Sequence, residues 1–196
     1  MLKKLCLLVS SLLMSTVLFA QSTPPGEGPW RGVPVWFGAE FSTFNPDYGC
    51  ANNSPFACWN HHLAGVASYV YANNIFKVLG VEGEARILPW GGPGFLTQSS
   101  LLAGPRLGFW RYKRFLLDGK VLLGEGRIVL RDGIPGSGYY FAYAPGLVLD
   151  YRVSHRLSAR FDYEYQRWPS FKGGSTGAGG LTPNGLSFGV SYMLLR

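Results

Sequence analysis

The feature that most constrains this chain is a strict alternation of apolar and polar side chains in residues 157–168, LSARFDYEYQRW. Every second residue is apolar or aromatic, namely Leu157, Ala159, Phe161, Tyr163 and Tyr165. The residues between them are Ser158, Arg160, Asp162, Glu164 and Gln166. Because successive side chains of a strand point to opposite faces, this segment predicts a β-strand with one apolar face and one charged face.

The same period of two recurs along the rest of the chain and predicts eight strands. The segments that connect them alternate in length: the first, third, fifth and seventh are long, and the others are short turns. Bacterial outer-membrane barrels have this arrangement, with short turns in the periplasm and long loops outside. The predicted strands are residues 35–44, 59–71, 76–88, 98–110, 115–128, 139–151, 157–168 and 185–195.

The distribution of charge between the two faces indicates which face meets lipid. The apolar face is almost free of charge in the middle of every strand and ends in aromatic residues, which is the pattern that a hydrocarbon layer imposes. We therefore predict an all-β fold, an eight-stranded antiparallel up-and-down transmembrane β-barrel. The rival is a soluble barrel with a charged outside and a lumen filled by Phe, Tyr and Leu, which could hold a ligand.

The charged residues of the polar face are predicted to lie in the lumen. Eight strands enclose an interior just wide enough for side chains to fill, so acids and bases packed there should pair into a salt-bridge network. Glu125 and Arg127 fall on the apolar parity, so either a bulge shifts the register there or both residues lie beyond the apolar band. The predicted network consists of Glu40, Glu82, Glu84, Arg86, Arg106, Lys120, Asp150, Arg160, Asp162 and Glu164.

The N-terminus has the pattern of a secretory signal peptide. Lys3 and Lys4 precede a largely apolar run at 5–19, and the small residue Ala20 follows at the cleavage point. We therefore predict a signal peptide at 1–20, which takes Cys6 with it. A Pro/Gly-rich segment at 21–33 is predicted to be a flexible periplasmic lead-in, and the barrel is predicted at 34–196. Removing Lys3 and Lys4 lowers the formal net charge from +7 to +5. The remaining basic residues form no nucleic-acid stripe.

Two cysteines then remain, in the first long loop. Cys50 and Cys58 are predicted to form a disulfide, as two cysteines of an exported chain most simply do. A zinc site with His61 and His62 is the alternative, but adjacent histidines on a strand point to opposite faces. We predict no metal and no cofactor.

The C-terminal strand and the whole layout resemble a known family. Ser187, Gly189, Tyr192 and Leu194 match the spacing of the signal that the barrel-assembly machinery reads, although the chain ends Leu194–Leu195–Arg196 rather than on Phe. The chain resembles the small eight-stranded bacterial outer-membrane β-barrels, the OmpA/OmpX-like or "porin family" domain. The resemblance implies an outer-membrane location and a monomer. The implied partners are the lipid bilayer and, during biogenesis, the assembly machinery and periplasmic chaperones, with no nucleic acid.

Three functions remain open at this point. The favoured one is a structural or interaction barrel with a narrow, salt-bridged lumen and extracellular loops that contact ligands or surfaces. A lipid-modifying enzyme is least favoured, since only Ser54, His61 and His62 fall near the outer rim, and no catalytic residue is assigned. A small passive pore for ions or small solutes is the third, because several inward positions are small: Gly38, Ala64, Gly104, Gly124, Gly146 and Gly189.

Overall fold

The structure, a computed structural model, describes residues 33–48, 62–76, 78–91, 96–130, 137–171 and 180–195. The predicted signal peptide, nearly all of the 21–33 segment, and both Cys50 and Cys58 lie outside these residues. The described part of the chain contains no helix long and apolar enough to cross a membrane. It forms eight strands: β1 (Val35–Asn45), β2 (Leu63–Phe76), β3 (Leu79–Trp90), β4 (Leu96–Tyr112), β5 (Phe115–Leu130), β6 (Gly138–Arg152), β7 (Leu157–Tyr165) and β8 (Asn184–Leu195).

The eight strands close into one barrel in sequence order. Each strand pairs antiparallel with its neighbours, and β8 returns to pair with β1, from Trp36 opposite Met193 to Asn45 opposite Asn184. Closure leaves no unpaired sheet edge. The predicted all-β, eight-stranded antiparallel up-and-down barrel is confirmed.

The barrel has two unlike ends, which we call the turn end and the loop end. At the turn end, strands are joined through 77–78, 113–114 and 153–156. At the loop end, the connections are 46–62, 91–95, 131–137 and 166–183. The predicted alternation of long and short connections is therefore confirmed.

Most strand boundaries differ from the sequence prediction by one to three residues, and the differences at β2 and β7 have a clear physical reason. The turn predicted at 72–75 is wrong, because Ala72 pairs with Val81 and Phe76 with Leu79, so β2 continues to a tighter hairpin. Ladder partners on β3 outweigh the turn preference of the two asparagines there. β7 ends at Tyr165, but isolated bridges join Arg167 to Tyr143 and Trp168 to Leu181, which extends the ladder as far as predicted.

Side chains alternate between the interior and the outer surface along every strand. Large apolar residues face outward, including Phe109 at 65 % and Phe188 at 62 % exposure. Ala64, predicted to face inward, points outward, because Leu63 and Gly65 hold the buried positions on either side of it. The odd-numbered residues of β2 therefore face the interior. The sequence did not reveal this, because small residues occur at both odd and even positions there.

The charges at Glu125 and Arg127 also face outward. β5 pairs with β6 without interruption from Phe115 opposite Tyr151 to Ile128 opposite Gly138, so the bulge interpretation is wrong. Both residues lie near the loop end of the outer surface, and the Arg127 guanidinium carbon is 5.0 Å from the ring centroid of Tyr139.

Candidate functional site in the barrel interior

The inward-facing side chains form three layers along the barrel axis. An ionic layer of acids and bases occupies the middle. The turn-end layer contains Trp36, Tyr69 and Tyr71, with Met193 packed against them. The loop-end layer is apolar and contains Phe44, Tyr48, Leu63, Leu88, Leu96, Leu102, Leu122, Ile128, Ala142, Ala144, Trp168, Phe171 and Leu181.

The ionic layer contains all ten of the predicted lumen residues and one more. Each of these residues is at most 3 % exposed. The additional member is Asp118, which sequence reasoning missed. It lies two residues before Lys120 on the same face of β5, so parity alone could have identified it.

Arg106 joins carboxylates from three other strands. Its Nε donates to Asp118 Oδ2 at 2.8 Å, its Nη1 donates to Glu82 Oε2 at 2.8 Å, and its Nη2 donates to Asp150. Nη2 also lies 2.7 Å from Asp118 Oδ2. Because the planar guanidinium contacts acids on three strands at once, this one side chain on β4 connects β3, β5 and β6.

Arg160 is the second hub, and it lies on the strand with the clearest alternation. Its Nη2 donates to Glu82 Oε1 at 2.5 Å, and its Nη1 donates to Glu82 Oε2 at 3.2 Å, which makes a two-point pair. The same Nη2 is 2.7 Å from Asp162 Oδ2, and Nε is 3.6 Å from Glu40 Oε2. Arg160 therefore connects β7 to β3 and β1 through the middle of the barrel.

Arg86 and its partners occupy the part of the ionic layer nearest the loop end. Nη1 donates to Glu164 Oε1 at 2.7 Å, and Nη2 is 2.7 Å from Glu84 Oε1 and 3.3 Å from Glu40 Oε1. Nε donates to Ser42 Oγ at 3.2 Å. The guanidinium therefore links β3 to β1 and β7.

Lys120 lies among four carboxylates. Its Nζ is 2.6 Å from Asp162 Oδ2, 2.8 Å from Glu164 Oε2 and 2.9 Å from Glu84 Oε2. Glu82 Oε1 is 3.5 Å away. Because Glu82 also binds Arg106 and Arg160, it contacts three of the four bases.

Aromatic rings cover the faces of the arginines. A guanidinium stacked on a ring gains a cation–π attraction while its edge donates to carboxylates. The guanidinium carbons lie 4.0 Å from the ring centroid of Tyr69 for Arg160, 4.3 Å from that of Tyr71 for Arg106, and 4.2 Å from that of Phe44 for Arg86.

The ionic layer has more acids than bases, seven against four. Ligand oxygens of Glu40, Glu84 and Asp162 lie within 4.8 Å of one another, a spacing at which carboxylates can share a cation. Here Arg86 and Lys120 already contact members of this cluster. The arrangement is that of ion pairing among protein side chains, so we assign no metal to it.

Trp168 closes the loop end of the interior. Its indole lies against Gly126, where an added Cβ would come within 2.4 Å of Trp168 Cζ2. Its Nε1 donates to Gln166 Oε1 at 2.9 Å, and Gln166 Nε2 donates to Glu164 Oε1 at 2.7 Å. A continuous hydrogen-bonded chain thus links the loop-end layer to the ionic layer.

Tyr48 also belongs to this end and lies just beyond β1. Its hydroxyl donates to Gln98 Oε1 at 3.2 Å. Burial, assisted by nearby Tyr140, raises the pKa of the Tyr48 phenol, so the group remains a neutral donor.

The turn-end layer is a stack of rings. Trp36 and Tyr71 are parallel, with centroids 6.0 Å apart, and Tyr71 lies 6.1 Å from Tyr69. The Tyr71 hydroxyl is 3.4 Å from Ser191 Oγ, which connects the stack to β8.

The small inward residues that suggested a water path are used for close packing. An added Cβ at Gly38 would lie 2.5 Å from the Tyr69 hydroxyl, and one at Gly146 would lie 2.9 Å from Lys120 Cε. Gly38 and Gly146 therefore make room for large side chains of the interior, whereas at Gly104 and Gly124 an added Cβ would meet the backbone of the neighbouring strand. The small size of these residues is thus explained by close packing, and it no longer favours a pore.

The four residues of the predicted assembly signal divide between the two faces of β8. Ser187 is buried, with its Oγ 2.8 Å from Ser42 Oγ, and Gly189 faces inward against Glu40. Tyr192 and Leu194 are exposed on the outer face. This division follows from their spacing along the strand.

Comparisons with known proteins give the fold a context. No family model matches the chain, and neither does any curated protein. The barrel is similar to the crystal structure of Neisserial surface protein A, with 14 % identity and a TM-score of 0.52, covering 83 % of this chain and 97 % of that one. It is also similar to the outer-membrane protein OprG from Pseudomonas aeruginosa, with 11 % identity and a TM-score of 0.53, covering 84 % and 97 %. The chain therefore has the fold of the small eight-stranded outer-membrane β-barrels.

Proposed function

We propose that this protein is an outer-membrane β-barrel scaffold with a closed interior, whose loop end meets ligands or surfaces outside the cell. The observation that carries this proposal is the ionic layer, in which seven acids and four bases fill the middle of the barrel and are almost wholly buried. A barrel built this way supports an interaction role better than a transport role.

The outer surface supports insertion in a bilayer. Large apolar side chains on every strand are exposed, which a water-soluble protein would bury. Meanwhile the charges lie inside, where they pair with one another. This is the reverse of a soluble protein and the arrangement expected in lipid.

The layered interior supports a non-conducting barrel. An ion that crossed it would have to displace the aromatic stack at the turn end, the ion pairs in the middle and Trp168 at the loop end. Separating buried ion pairs costs several kcal/mol, roughly, for each charge left alone.

The test is a single-channel recording of the full-length mature protein in planar bilayers. Migration of boiled and unboiled samples on a detergent gel first establishes that the barrel is folded. We expect no conductance steps from the native protein. The matched variant is E82A/R106A/R160A, which removes the central hub and should introduce steps. Regular steps from the native protein would instead establish the small passive pore.

The sequence supports several further parts of the proposal. Residues 1–20 are removed on export, and the chain is assembled as a monomer by the barrel-assembly machinery with periplasmic chaperones. Cys50 and Cys58 form a disulfide in the first long loop. The charged and apolar pattern of the N-terminus supports the signal peptide, and the spacing of residues in the C-terminal strand supports recognition by the assembly machinery. The disulfide is supported because both cysteines belong to an exported chain.

We assign no catalytic role. His62 is exposed at the start of β2, whereas His155 lies at the opposite end, and both Ser54 and His61 lie outside the described residues. Unchanged lipid A mass spectra on deletion and on overexpression are expected. A new lipid A species on overexpression would instead support the lipid-modifying alternative.

A further inference from the structure

We infer that the turn end carries a binding surface for the phosphate groups of anionic phospholipids in the adjacent leaflet. The inference rests on the proposed membrane insertion of the barrel. The surface, which we call the basic crescent, consists of Lys113, Arg114, Arg152, His155 and Arg156.

The basic crescent is continuous across three neighbouring segments. The backbone N–H of Arg152 donates to the carbonyl oxygen of Arg114 at 2.9 Å, which places the 113–114 turn beside the end of β6. The N–H of Met193 donates to the carbonyl of Arg156 at 2.9 Å, which places the 153–156 turn beside β8. The crescent therefore follows the rim of the barrel from β4 to β8.

The basic side chains are exposed and lack acidic neighbours in the described part of the chain. All five residues of the crescent are exposed, and no described acid forms an ion pair with any of them. The acids nearest along the strands are Asp118 and Asp150, but both are buried and bind Arg106. The positive charge of this rim is thus available to an external anion.

A belt of aromatic side chains lies directly beside the crescent. Trp110 stacks on Tyr112 with centroids 5.7 Å apart, and Phe115 lies 4.9 Å from Tyr151. Aromatic belts of membrane proteins sit at the level of the lipid headgroups, with their rings at the boundary of the hydrocarbon.

The spacing of the crescent from this belt brings its charges to the phosphate level. Arg114 directly precedes Phe115, and Arg152 directly follows Tyr151. One residue along a strand advances about 3.3 Å. Long arginine side chains can extend further toward water while their stems remain against the apolar belt.

Two contacts hold crescent side chains against the belt. The Lys113 Nζ lies 5.2 Å from the ring centroid of Tyr112, and the Arg156 Nη1 is 3.5 Å from the Tyr192 hydroxyl. Cations anchored to interfacial rings are positioned for phosphate oxygens, which guanidinium groups bind through paired hydrogen bonds.

The arrangement favours a lipid over a free anion. The five residues are spread along the rim over two turns and the end of β6 rather than grouped around a pocket. A ring of separate headgroups fits such a rim, whereas a single soluble phosphate would contact only one or two of the basic side chains.

The test is native mass spectrometry of the full-length mature protein released from nanodiscs containing equal amounts of phosphatidylglycerol and phosphatidylcholine. We expect the native protein to retain phosphatidylglycerol preferentially. The triple variant R114Q/R152Q/R156Q should lose this preference by at least about fivefold, roughly the factor that one basic side chain near an anionic surface contributes.

A pair of single variants controls for net charge. R152Q removes one arginine from the crescent, and R127Q removes one exposed arginine from the loop end. We expect only R152Q to lower the retained phosphatidylglycerol. An equal effect of both variants, or an unchanged preference in the triple variant, would overturn the inference.

Two further results distinguish a failure of the proposed lipid site from a failure of the proposed membrane insertion. Displacement of the bound lipid by millimolar inorganic phosphate would indicate a site for free anions and would also overturn it. Failure of the native protein to insert into any nanodisc would contradict the proposed membrane insertion itself. Insertion without lipid preference would contradict only the role of the crescent.

Discussion

Glu82 and Arg160 form a two-point ion pair through the middle of the barrel, although 78 positions separate them in the chain. The Nη2–Oε1 distance is 2.5 Å and the Nη1–Oε2 distance is 3.2 Å. Their strands, β3 and β7, are not neighbours in the sheet. The pair therefore links two separate strands across the barrel interior, whereas the β1–β8 ladder joins the two ends of the sheet.

Because acids outnumber bases in the ionic layer, we expect the removal of a base to destabilise the barrel more than the removal of an acid. We expect R160M to lower the free energy of unfolding by about 3–5 kcal/mol, because it removes a buried cation that contacts Glu82, Asp162 and Glu40 and leaves three bases for seven acids. We expect E84Q to cost much less, because it relieves repulsion within a cluster of carboxylates.

Urea unfolding in lipid vesicles, followed by tryptophan fluorescence, measures both variants under one condition. Equal losses for R160M and E84Q would contradict the unequal roles of acids and bases.

The contact between Trp168 and Gly126 predicts that this glycine cannot be enlarged. In G126A the new methyl group would lie 2.4 Å from the indole, so the ring must move, and we expect a loss of about 1–3 kcal/mol in the free energy of unfolding. G83A is the matched control, since Gly83 has only Val70 Cγ1 at 3.8 Å near an added Cβ. Similar stability of the two variants would show that the Trp168 ring can move away from Gly126 at little cost.

Gly189 belongs to the proposed assembly signal, but close packing inside the barrel could also require a glycine at this position. An added Cβ there would lie 2.2 Å from the Ala39 carbonyl oxygen and 2.5 Å from Glu40 Cβ. We therefore expect G189A to impair refolding into vesicles even without assembly machinery.

Tyr192 provides the comparison, because it is exposed on the outer face of the same strand. We expect Y192A to slow folding only when purified assembly machinery catalyses it. A normal spontaneous refolding rate for G189A would argue against the packing requirement, and slow spontaneous refolding of Y192A would argue that Tyr192 acts through stability.

The proposed disulfide between Cys50 and Cys58 predicts a defined alkylation pattern. In denatured protein purified without reductant, neither cysteine should react with iodoacetamide, and both should react after reduction. Reaction of both cysteines before reduction would exclude the bond. If a chelator were needed to expose them, the zinc site with His61 and His62 would be favoured.

The sequence predicted which face of each strand a side chain lies on, but it said much less about which residues form ion pairs with one another. Alternation assigned Arg160, Asp162 and Glu164 to one face of a strand, and the exclusion of charge from the other face indicated which face is inside. It could not say that Arg160 binds Glu82, since this depends on the stagger between β3 and β7 around a closed barrel.

Errors occurred where local signals were weak. Ala64 lies among small residues whose polarity does not distinguish two faces, and the asparagines within 72–75 have turn preferences that the β3 ladder outweighs. Asp118 was missed although its parity matched that of Lys120, so this omission did not reflect a limit of the sequence.

The sequence by itself determined that eight alternating strands would form a barrel with charges on one face, because a period of two is a local property of each strand. Only the tertiary structure decided that Glu82 would bind three bases, and that Gly126 and Gly189 would make room for Trp168 and Glu40. These relationships depend on the relative height of residues on different strands, which closure and register determine together and no single segment encodes.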